Sequence, residues 1–510
     1  MNHYSKISCL KMKKNKYFLC IDNGLSVGKA ALIDLTGKIL DVGSFKTEVI
    51  NGDGYSEIDM DLLAKKTLAA IKEVIQKTNV NPGDIISVGN SGHGGGLYLI
   101  DKSGCPVRNA ISSMDSRAAG LIDKWGKEGI DGYSKTYAHM WNGQAIPLLC
   151  WLKENEQKNY NKINKILFCK DWIKYKLTGK YSTDYTDASN SGLINLNRKN
   201  YDSEIYKLYG MKDIFDKLPK LSKSEEIIGN ITKEIAVETG LIEGTPVISG
   251  FIDVVACILG SGLYDESAFS LISGTWSINS AISRDISKSP DIMYSILFAD
   301  AVKFLVMDSS PTSAVNLEWF LSEVLEKMDC INLNRKQIYK KIDEEILNIK
   351  LGQSNAFYFP FIYRSKLSKK MEGMFYGFNA SHNIYHLINS IYEGVVFAHL
   401  MHINNLKKGG MRRSKAILSG GAANSSLWCQ MFSDILNINI TTSSTSEVGV
   451  LGLAIYQALG LGLNKNLKEA IDKMVTIKST YKPDIQKNSI YMKRFEEYER
   501  IIQLLDGKSN

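Results

Sequence analysis

One carboxylate stands where a predicted strand passes into a predicted helix. Val247 and Ile248 are apolar and strand-like, Gly250 allows a turn, and Asp253 precedes an apolar run at residues 254–259. At such a position the strand holds the backbone rigidly and the side chain can face an open site. This suits a carboxylate that accepts a proton from a bound ligand. The alternative is that Asp253 only caps the N-terminus of the helix.

The first ordered segment predicts a β-hairpin with a polar turn. Strands predicted at residues 17–21 and 29–34 flank a turn that contains Asp22, Gly24 and Ser26. Backbone N–H groups and a hydroxyl in such a turn can bind phosphate, and a carboxylate can bind Mg²⁺. An ordinary hairpin at the edge of a sheet remains an equally good interpretation of this stretch alone.

A second hairpin of the same kind is predicted from Ser270 to Ser280, and its turn contains Gly274 and Thr275. Glycine allows the backbone to approach an anion closely, and the threonine hydroxyl adds a donor. Two such hairpins suggest two related halves that face each other across a nucleotide. The chain has neither a GxxxxGK[ST] loop nor a GxGxxG turn that opens a helix, so any nucleotide is held in another way.

Polar residues near two further strand ends are candidate ligand-binding groups. His93 lies among glycines after a strand predicted at residues 85–88, and we expect these glycines to leave its imidazole little covered. Asp115 and Arg117 follow a short apolar run and could bind a polyhydroxylated ligand in bidentate fashion. The alternatives are a turn-capping role for His93 and a structural salt bridge between Asp115 and Arg117.

Three later segments complete the pattern. A predicted strand ends at Gly420 and Gly421, and Asn424 precedes a helix whose N-terminus could face a ligand. Residues 183–193 are rich in Asp, Thr, Ser and Asn and predict a polar loop. Residues 329–350 are rich in lysine and predict a solvated helical excursion.

Composition predicts a soluble cytoplasmic protein of two or three domains. The chain has 510 residues and a formal net charge of +8, and dispersed charge of this size argues against nucleic-acid or membrane-surface binding. We expect neither a signal peptide nor a membrane span, because no apolar run is long enough. The eight cysteines are scattered without metal-ligand spacing, and several lie in apolar runs as reduced core thiols do.

Taken together and in this order, the motifs resemble the FGGY family of carbohydrate kinases. The resemblance rests on Asp22-Asn-Gly, Gly250 to Asp253, Gly274-Thr275-Trp276, Gly373 to Glu393, and Gly420-Gly421 with Asn424, and it covers almost the whole chain. It implies an α/β, two-domain, actin-like (ribonuclease H-like) ATPase fold with a cleft for nucleotide and sugar between the domains.

The resemblance also implies a division of the chain. We expect a disordered basic tail at residues 1–16 and an N-terminal domain at 17–248 that holds the sugar side and the first phosphate loop. A C-terminal domain at 249–485 would hold Asp253 and the second phosphate and adenosine loops, and a helical tail would follow at 486–510.

The roles that the resemblance implies use ATP and Mg²⁺ as cofactors. Asp253 would deprotonate the sugar hydroxyl, and Asp22 would hold Mg²⁺ directly or through water. Sugar contacts would come from His93, Asp115 and Arg117, with Tyr55 and Glu57 as a lip. The phosphate turns would comprise Gly24, Ser26, Gly274 and Thr275, and the adenosine border would comprise Gly420, Gly421 and Asn424.

Within the family, the motifs favour a pentulose as the small-molecule substrate. The glycines around His93 leave room that a bulkier pair would fill, so we expect phosphorylation of L-xylulose to its 5-phosphate. D-xylulose, another ketose or a polyol is the alternative, and an actin-like ATPase switch without sugar turnover is the alternative from another class. A homodimer is compatible with this assignment.

Overall fold

The computed structural model describes residues 15–328, 334–363, 365–368 and 370–507, which form two compact units. The first unit contains the described residues up to Tyr264, together with Tyr294–Phe304 and Glu447–Val475. The second contains Asp265–Met293, Leu305–Ser446 and the described residues from Thr476 onward. Most of the predicted N-terminal tail, residues 1–14, lies outside the described residues.

The first unit is built on a mixed β-sheet. The strand Tyr17–Asn23 lies inside this sheet, with Phe18, Leu19, Cys20 and Ile21 fully buried, because helices cover both of its faces. In spatial order the sheet strands are Ile227–Asn230, Pro246–Ile248, Ile85–Gly92, Tyr17–Asn23, Val27–Asp34 and Ile39–Lys46, and Phe251–Ile252 also pairs with Ile85–Gly92.

Shorter strands and helices surround this sheet. The smaller sheets of the unit pair Ile50–Asn51, Ser56–Ile58 and Ala110–Ile111; Tyr98–Ile100 and Lys165–Leu167; Ser182–Asp184 and Lys220–Ser222; and Ile194–Asn195 and Asn200–Tyr201. The helices are Met60–Thr78, Ala119–Glu128, Tyr133–Thr136, Ala145–Asn155, Gln157–Tyr160, Cys169–Thr178, Tyr185–Asn190, Ser203–Leu208, Lys233–Thr239, Asp253–Gly260, Val448–Gly460 and Leu467–Met474.

The second unit has a sheet of its own around a large apolar core. In spatial order its strands are Phe304–Ser310, Ser277–Ser283, Phe269–Ser273, Lys415–Gly420, Asn439–Ser443 and Ile477–Tyr481, and a separate hairpin pairs Phe357–Phe359 with Met374–Tyr376. Its helices are Val315–Phe320, Arg335–Ile346, Ile384–Lys408, Ser426–Leu436 and Ile485–Leu505.

Both predicted hairpins are present, and each is flanked by a parallel strand. In the first unit, Tyr17–Asn23 pairs antiparallel with Val27–Asp34 and parallel with Ile85–Gly92. In the second, Phe269–Ser273 pairs antiparallel with Ser277–Ser283 and parallel with Lys415–Gly420. The two units therefore repeat one arrangement, a hairpin flanked by a parallel strand.

The units do not divide where the sequence suggested. The predicted boundary after residue 248 lies inside the first unit, because Phe251–Ile252 pairs with Ile85–Gly92 and helix Asp253–Gly260 packs on helix Val448–Gly460. Glycines make that packing close: a Cβ on Gly260 would lie 1.8 Å from the Val448 carbonyl oxygen. Asp253 accordingly belongs to the first unit.

Of two predictions about polar segments, one is wrong and the other is right only about the helix. The polar loop predicted at residues 183–193 instead contains helix Tyr185–Asn190, with Thr186, Asp187 and Ser189 buried. Fully buried Lys170 lies 3.0 Å from Asp184 and 3.4 Å from Asp187, so opposite charges compensate each other inside the unit.

The lysine-rich stretch contains a helix, Arg335–Ile346, but one face of this helix is buried through Ile338, Ile342 and Ile346. Residues 329–333 of that stretch lie outside the described residues. The predicted C-terminal helix, Ile485–Leu505, is likewise packed into the core of the second unit through Tyr498 and Ile502. Within the described ranges, no helix is long and apolar enough to cross a membrane.

Candidate active site

Asp22 and Asp253 reach the same edge of the first sheet from either side of one strand. Tyr17–Asn23 and Phe251–Ile252 both run parallel to Ile85–Gly92, and Asp22 and Phe251 are both in register with Ser91. Because these strands are parallel, their carboxyl ends meet at one edge. Asp22 is the penultimate residue of one strand, and Asp253 begins the helix that follows the other.

Gly250 is needed for this placement. Its φ is +74°, and a Cβ there would lie 1.8 Å from the Asn90 carbonyl oxygen, so no other residue fits without moving the backbone. The cap residue of the helix is Ile252, and Asp253 accepts a hydrogen bond on Oδ1 from the Val254 N–H at 2.7 Å. Asp253 is therefore not the cap, and its half-buried carboxylate is held at the start of the helix.

The two carboxylates influence each other electrostatically. Burial and the negative charge of Asp22 raise the pKa of Asp253 to about 7. Burial raises the pKa of Asp22 as well, although a hydrogen bond from the Ser91 hydroxyl (2.7 Å) and the charge of Lys29 oppose that rise. A carboxyl group with a pKa near 7 is suited to general acid–base chemistry at neutral pH.

Residues far along the chain complete the surroundings of Asp22. Helix Val448–Gly460 brings Gly449 so close that a Cβ there would lie 2.7 Å from Asp22 Oδ2. Glu447 pairs with Lys29, with Nζ and Oε2 2.7 Å apart. Neither Gly449 nor Glu447 was predicted from the sequence, in which the only signal is the run of small residues in an apolar helix.

The turn after Asp22 is braced from a neighbouring strand end. The Gly24 N–H donates to the Val27 carbonyl at 3.1 Å, and the Thr47 hydroxyl donates to the Gly24 carbonyl at 3.0 Å. The Thr47 N–H donates to the Ser26 carbonyl at 3.0 Å, while Ser26 itself is exposed. The backbone is thus fixed and the Ser26 hydroxyl stays accessible to a ligand.

The second turn lies beside the end of strand Lys415–Gly420. Ser273, which precedes Gly274, is hydrogen-bonded through its hydroxyl to Ser313 at 2.7 Å, and the Gly274 carbonyl accepts from the Val315 N–H at 3.2 Å. Thr275 is exposed. Gly420 has φ +87°, and a Cβ there would lie 2.4 Å from the Ser273 carbonyl oxygen.

Gly421 and Asn424 line a cavity of about 850 Å³ in the second unit. Tyr392 and Trp428, whose rings stack with centroids 4.2 Å apart, also line it. Helix Arg335–Ile346 contributes several further residues, which were not predicted because that helix was expected to be solvated. A cavity of this size with aromatic and polar lining can hold a nucleoside.

The sequence predicted that His93 is little covered, and this prediction is wrong. Only 2% of the residue is exposed, and its Nε2 is 3.0 Å from the Tyr98 hydroxyl. The surrounding glycines allow neighbours to close in: a Cβ on Gly94 would lie 2.6 Å from Asn190 Nδ2, and one on Gly95 would lie 3.0 Å from the Trp141 ring. Burial lowers the pKa of His93 to about 4, so the imidazole is neutral at pH 7.

Asp115 and Arg117 contact each other in the arrangement expected of a structural salt bridge. Arg117 donates to Asp115 Oδ1 and Oδ2 at 2.8 Å and to Glu57 Oε1 at 2.7 Å. The Ser56 N–H donates to Asp115 Oδ2 at 2.7 Å. These contacts occupy the groups that would bind a sugar, and Tyr55 stands 43% exposed beside them. A sugar-binding role for these four residues stays a prediction.

The surroundings of Asp22 fit a Mg²⁺ ion that keeps most of its water. Among the described residues, Asp22 Oδ2 accepts no hydrogen bond, and no cluster of three or more His, Cys, Asp or Glu side chains could cage a metal. Mg²⁺ is usually bound through one or two carboxylates and substrate phosphates rather than by an all-protein cage. Asp22 would supply the carboxylate, and the ion would offset phosphate charge.

Comparison with known proteins agrees with this arrangement. Residues 17–260 match the N-terminal domain of the FGGY family of carbohydrate kinases, and residues 271–461 match its C-terminal domain.

Two curated relatives are each 32% identical to this chain over 96% of its length: the "Probable L-xylulose kinase" of Haemophilus influenzae, covered to 99%, and the "L-xylulose/3-keto-L-gulonate kinase" of Escherichia coli, covered to 98%. A solved gluconate kinase from Lactobacillus acidophilus superposes with a TM-score of 0.86 at 23% identity, over 96% of this chain and 98% of that one, which confirms the predicted fold. The chain belongs to the FGGY family of carbohydrate kinases and is a sugar kinase.

Proposed function

We propose that this kinase transfers the γ-phosphoryl group of ATP to a hydroxyl of a pentulose, with L-xylulose as the best substrate and Asp253 as the base. The observation that carries the proposal is the placement of Asp253 beside Asp22, where the parallel strands of the first unit end. Two carboxylates at one sheet edge can serve one proton transfer and one phosphate-charge site.

Asp253 would act late in the reaction. Phosphoryl transfer needs the acceptor oxygen in line with the phosphorus, and the acceptor proton leaves as the new bond forms. The carboxylate form of Asp253 would receive that proton, and its hydrogen bond from the Val254 N–H keeps one oxygen oriented. Asp22 would hold Mg²⁺, whose charge offsets that of the phosphates.

The two glycine turns and the cavity would bind the nucleotide. Accessible Ser26 and Thr275 hydroxyls support phosphate binding by the turns of Gly24 and Gly274. The 850 Å³ cavity next to Gly420, with Gly421 and Asn424 in its lining, supports binding of adenosine there.

The choice of L-xylulose is supported by the printed names of the two relatives that share 32% of the sequence. The glycines at residues 94–96 let Asn190 and Trp141 approach from the neighbouring segments, so the room expected around His93 is filled and these glycines by themselves favour neither enantiomer of xylulose. Sugar contacts from Asp115 and Arg117 stay part of the proposal, although their charged groups are also bonded to each other and to Glu57.

Kinetic constants for a panel of acceptors test the proposal. We expect kcat/KM for L-xylulose to exceed that for D-xylulose, with 3-keto-L-gulonate, hexuloses and polyols as further arms. A tenfold or greater preference for D-xylulose would overturn the substrate assignment. His93→Ala tests whether the histidine wall sets the preference, and an unchanged ratio of the two enantiomers would remove it from the argument.

Asp253→Asn tests the base. The amide keeps the size of the side chain but does not accept the proton, so we expect kcat to fall roughly 10²- to 10⁴-fold with nucleotide binding nearly unchanged. Asp59→Asn is the matched control, because Asp59 caps helix Met60–Thr78 and Asn caps equally well. Near-normal turnover of the Asp253→Asn enzyme would rule out Asp253 as the base.

A further inference from the structure

The second unit contains another large cavity, which shares no lining residue with the candidate adenosine cavity. Its volume is about 980 Å³. It lies where helix Ile384–Lys408 ends and the chain turns toward strand Lys415–Gly420, with helix Ile485–Leu505 contributing Glu499. The cations in its lining are Lys366, Lys407, Lys408, Arg412 and Arg413.

Positive charge exceeds negative charge in this lining. Asp291 and Glu499 are its only carboxylates among the described residues. Lys366 is paired with Asp308, which lies behind the lining, and Lys366 therefore adds little net charge. After this compensation the cavity keeps an excess of about two positive charges, which matches a phosphate monoester dianion.

Three of the cations form no close ion pair, although the charge of Lys408 acts on Glu499 and opposes the rise that burial causes in its pKa. Among the described residues, no carboxylate oxygen lies within 4.0 Å of the charged groups of Lys407, Lys408 or Arg412. Burial and the charge of Arg412 lower the pKa of Lys407, as expected where like charges crowd without compensation. Arg413 donates through Nη1 to the Arg412 carbonyl at 2.9 Å and through Nη2 to the Ile282 carbonyl at 3.0 Å. Its buried Nε has no hydrogen-bond partner in the part of the chain that the structure describes.

A purely structural explanation accounts for only part of this cluster. Lys407 and Lys408 occupy the last turn of helix Ile384–Lys408, where cations interact favourably with the helix dipole. Arg412 and Arg413 lie beyond Gly409 and Gly410, after the helix has ended. The helix dipole therefore explains neither the two arginines nor the presence of a cavity of ligand size.

We propose that this cavity binds a small phosphate monoester, such as a sugar phosphate, through Lys407, Arg412 and Arg413. The exposed guanidinium group of Arg412 can bind phosphate oxygens in bidentate fashion, and the ammonium of Lys407 adds a point charge. The Nη1 and Nη2 atoms of Arg413 already donate to backbone carbonyls, so Arg413 contributes chiefly its positive charge. The volume admits a phosphorylated pentose or hexose with water around it. This site does not depend on which sugar the enzyme phosphorylates.

Calorimetric titration of the full chain with ribose 5-phosphate and, separately, with inorganic phosphate tests the site. Both titrations are run with saturating ADP and Mg²⁺, so that the nucleotide-binding residues are occupied. Tighter binding of ribose 5-phosphate identifies a sugar phosphate as the ligand, and equal binding identifies free phosphate. Sites for metabolites rarely bind more weakly than about 10 mM. If neither compound binds at about that concentration, the proposal is overturned.

Variants connect any binding to this cavity. Arg412 is exposed, so Arg412→Glu is expected to fold normally and to weaken binding by at least about tenfold, as expected for loss of a charge-assisted hydrogen bond. Lys407→Gln should do the same, because it removes the charge and keeps part of the aliphatic stem. Lys415→Ala is the control, because Lys415 is an exposed cation nearby that does not line the cavity. Equal affinity in the wild type, Arg412→Glu and Lys407→Gln would refute the site.

Discussion

Gly449→Ala should impair catalysis without weakening the fold. Gly449 is near the start of helix Val448–Gly460, and an added Cβ would lie 2.7 Å from Asp22 Oδ2 and 3.8 Å from Cys257 Sγ. The backbone at Gly449 is helical and accepts alanine, so the only conflict is with the carboxylate that we assign to Mg²⁺. The substitution thus acts on one functional atom.

The geometry sets the size of the effect. Ordinary contacts of a Cβ begin at 3.4 Å, so Asp22 Oδ2 must retreat by about 0.7 Å. The other oxygen, Oδ1, is held by Ser91 at 2.7 Å, so the carboxylate rotates or this hydrogen bond lengthens. Misplacement of a catalytic group by about 1 Å reduces rates roughly 10²-fold, and we expect kcat to fall 10- to 100-fold. Helix propensity favours alanine over glycine by up to about 1 kcal/mol, which offsets the local strain.

The assay is kcat as a function of Mg²⁺ concentration, together with thermal unfolding of the same samples. We expect a lower kcat, a higher Mg²⁺ requirement and a melting temperature close to that of the wild type. Gly126→Ala is the control, because Gly126 lies in helix Ala119–Glu128 with no atom within 4 Å of the added Cβ. Full activity of Gly449→Ala with unchanged Mg²⁺ dependence would refute the assignment of Asp22 to the metal.

Two further predictions concern stability. Gly420→Ala should lower the melting temperature more than Gly410→Ala: both glycines have positive φ, at +87° and +92°, but only at Gly420 does the added Cβ meet an atom, the Ser273 carbonyl oxygen at 2.4 Å. Stability should also fall on acidification through His93, whose folded-state pKa of about 4 lies below the ordinary value of about 6.5. Neutral His93 makes its full contribution to the free energy of unfolding above pH 6.5, and this contribution is lost as pH falls toward 4. By pH 5 the loss amounts to roughly 2 kcal/mol. Denaturant unfolding of His93→Gln at pH 7 and pH 5 should show a smaller pH effect than the wild type, and an equal effect in both would contradict the prediction.

Local pattern was sufficient to predict the two hairpins and the position of Asp253. Alternating strand residues, a glycine and an apolar run are features of contiguous sequence, and the backbone follows them directly. The buried face of helix Arg335–Ile346 could also have been predicted, because its residues repeat at helical spacing: Ile338, Ile342 and Ile346. The abundance of lysine on the opposite face obscured it.

Contacts between distant segments were not predictable in this way. Nothing near residues 183–193 indicates that Lys170 would be buried beside Asp184 and Asp187, and a run of polar residues ordinarily lies in solvent. The closure of Asn190 and Trp141 over the glycine loop likewise depends on tertiary packing. The sequence therefore showed that these residues are polar or small, and the structure was needed to show which of them are paired and covered.

The geometry of the site depends more on its glycines than on its polar residues. Gly250 permits the turn before Asp253, Gly420 brings the end of one strand against Ser273, and Gly449 leaves room for Asp22, each with space for hydrogen only. A polar substitution such as Asp253→Asn removes a chemical function and leaves the frame unchanged, whereas Gly449→Ala keeps every functional group and displaces one. Both variants should lose turnover, but only Gly449→Ala should change the Mg²⁺ requirement. That difference separates the chemistry of the site from its positioning.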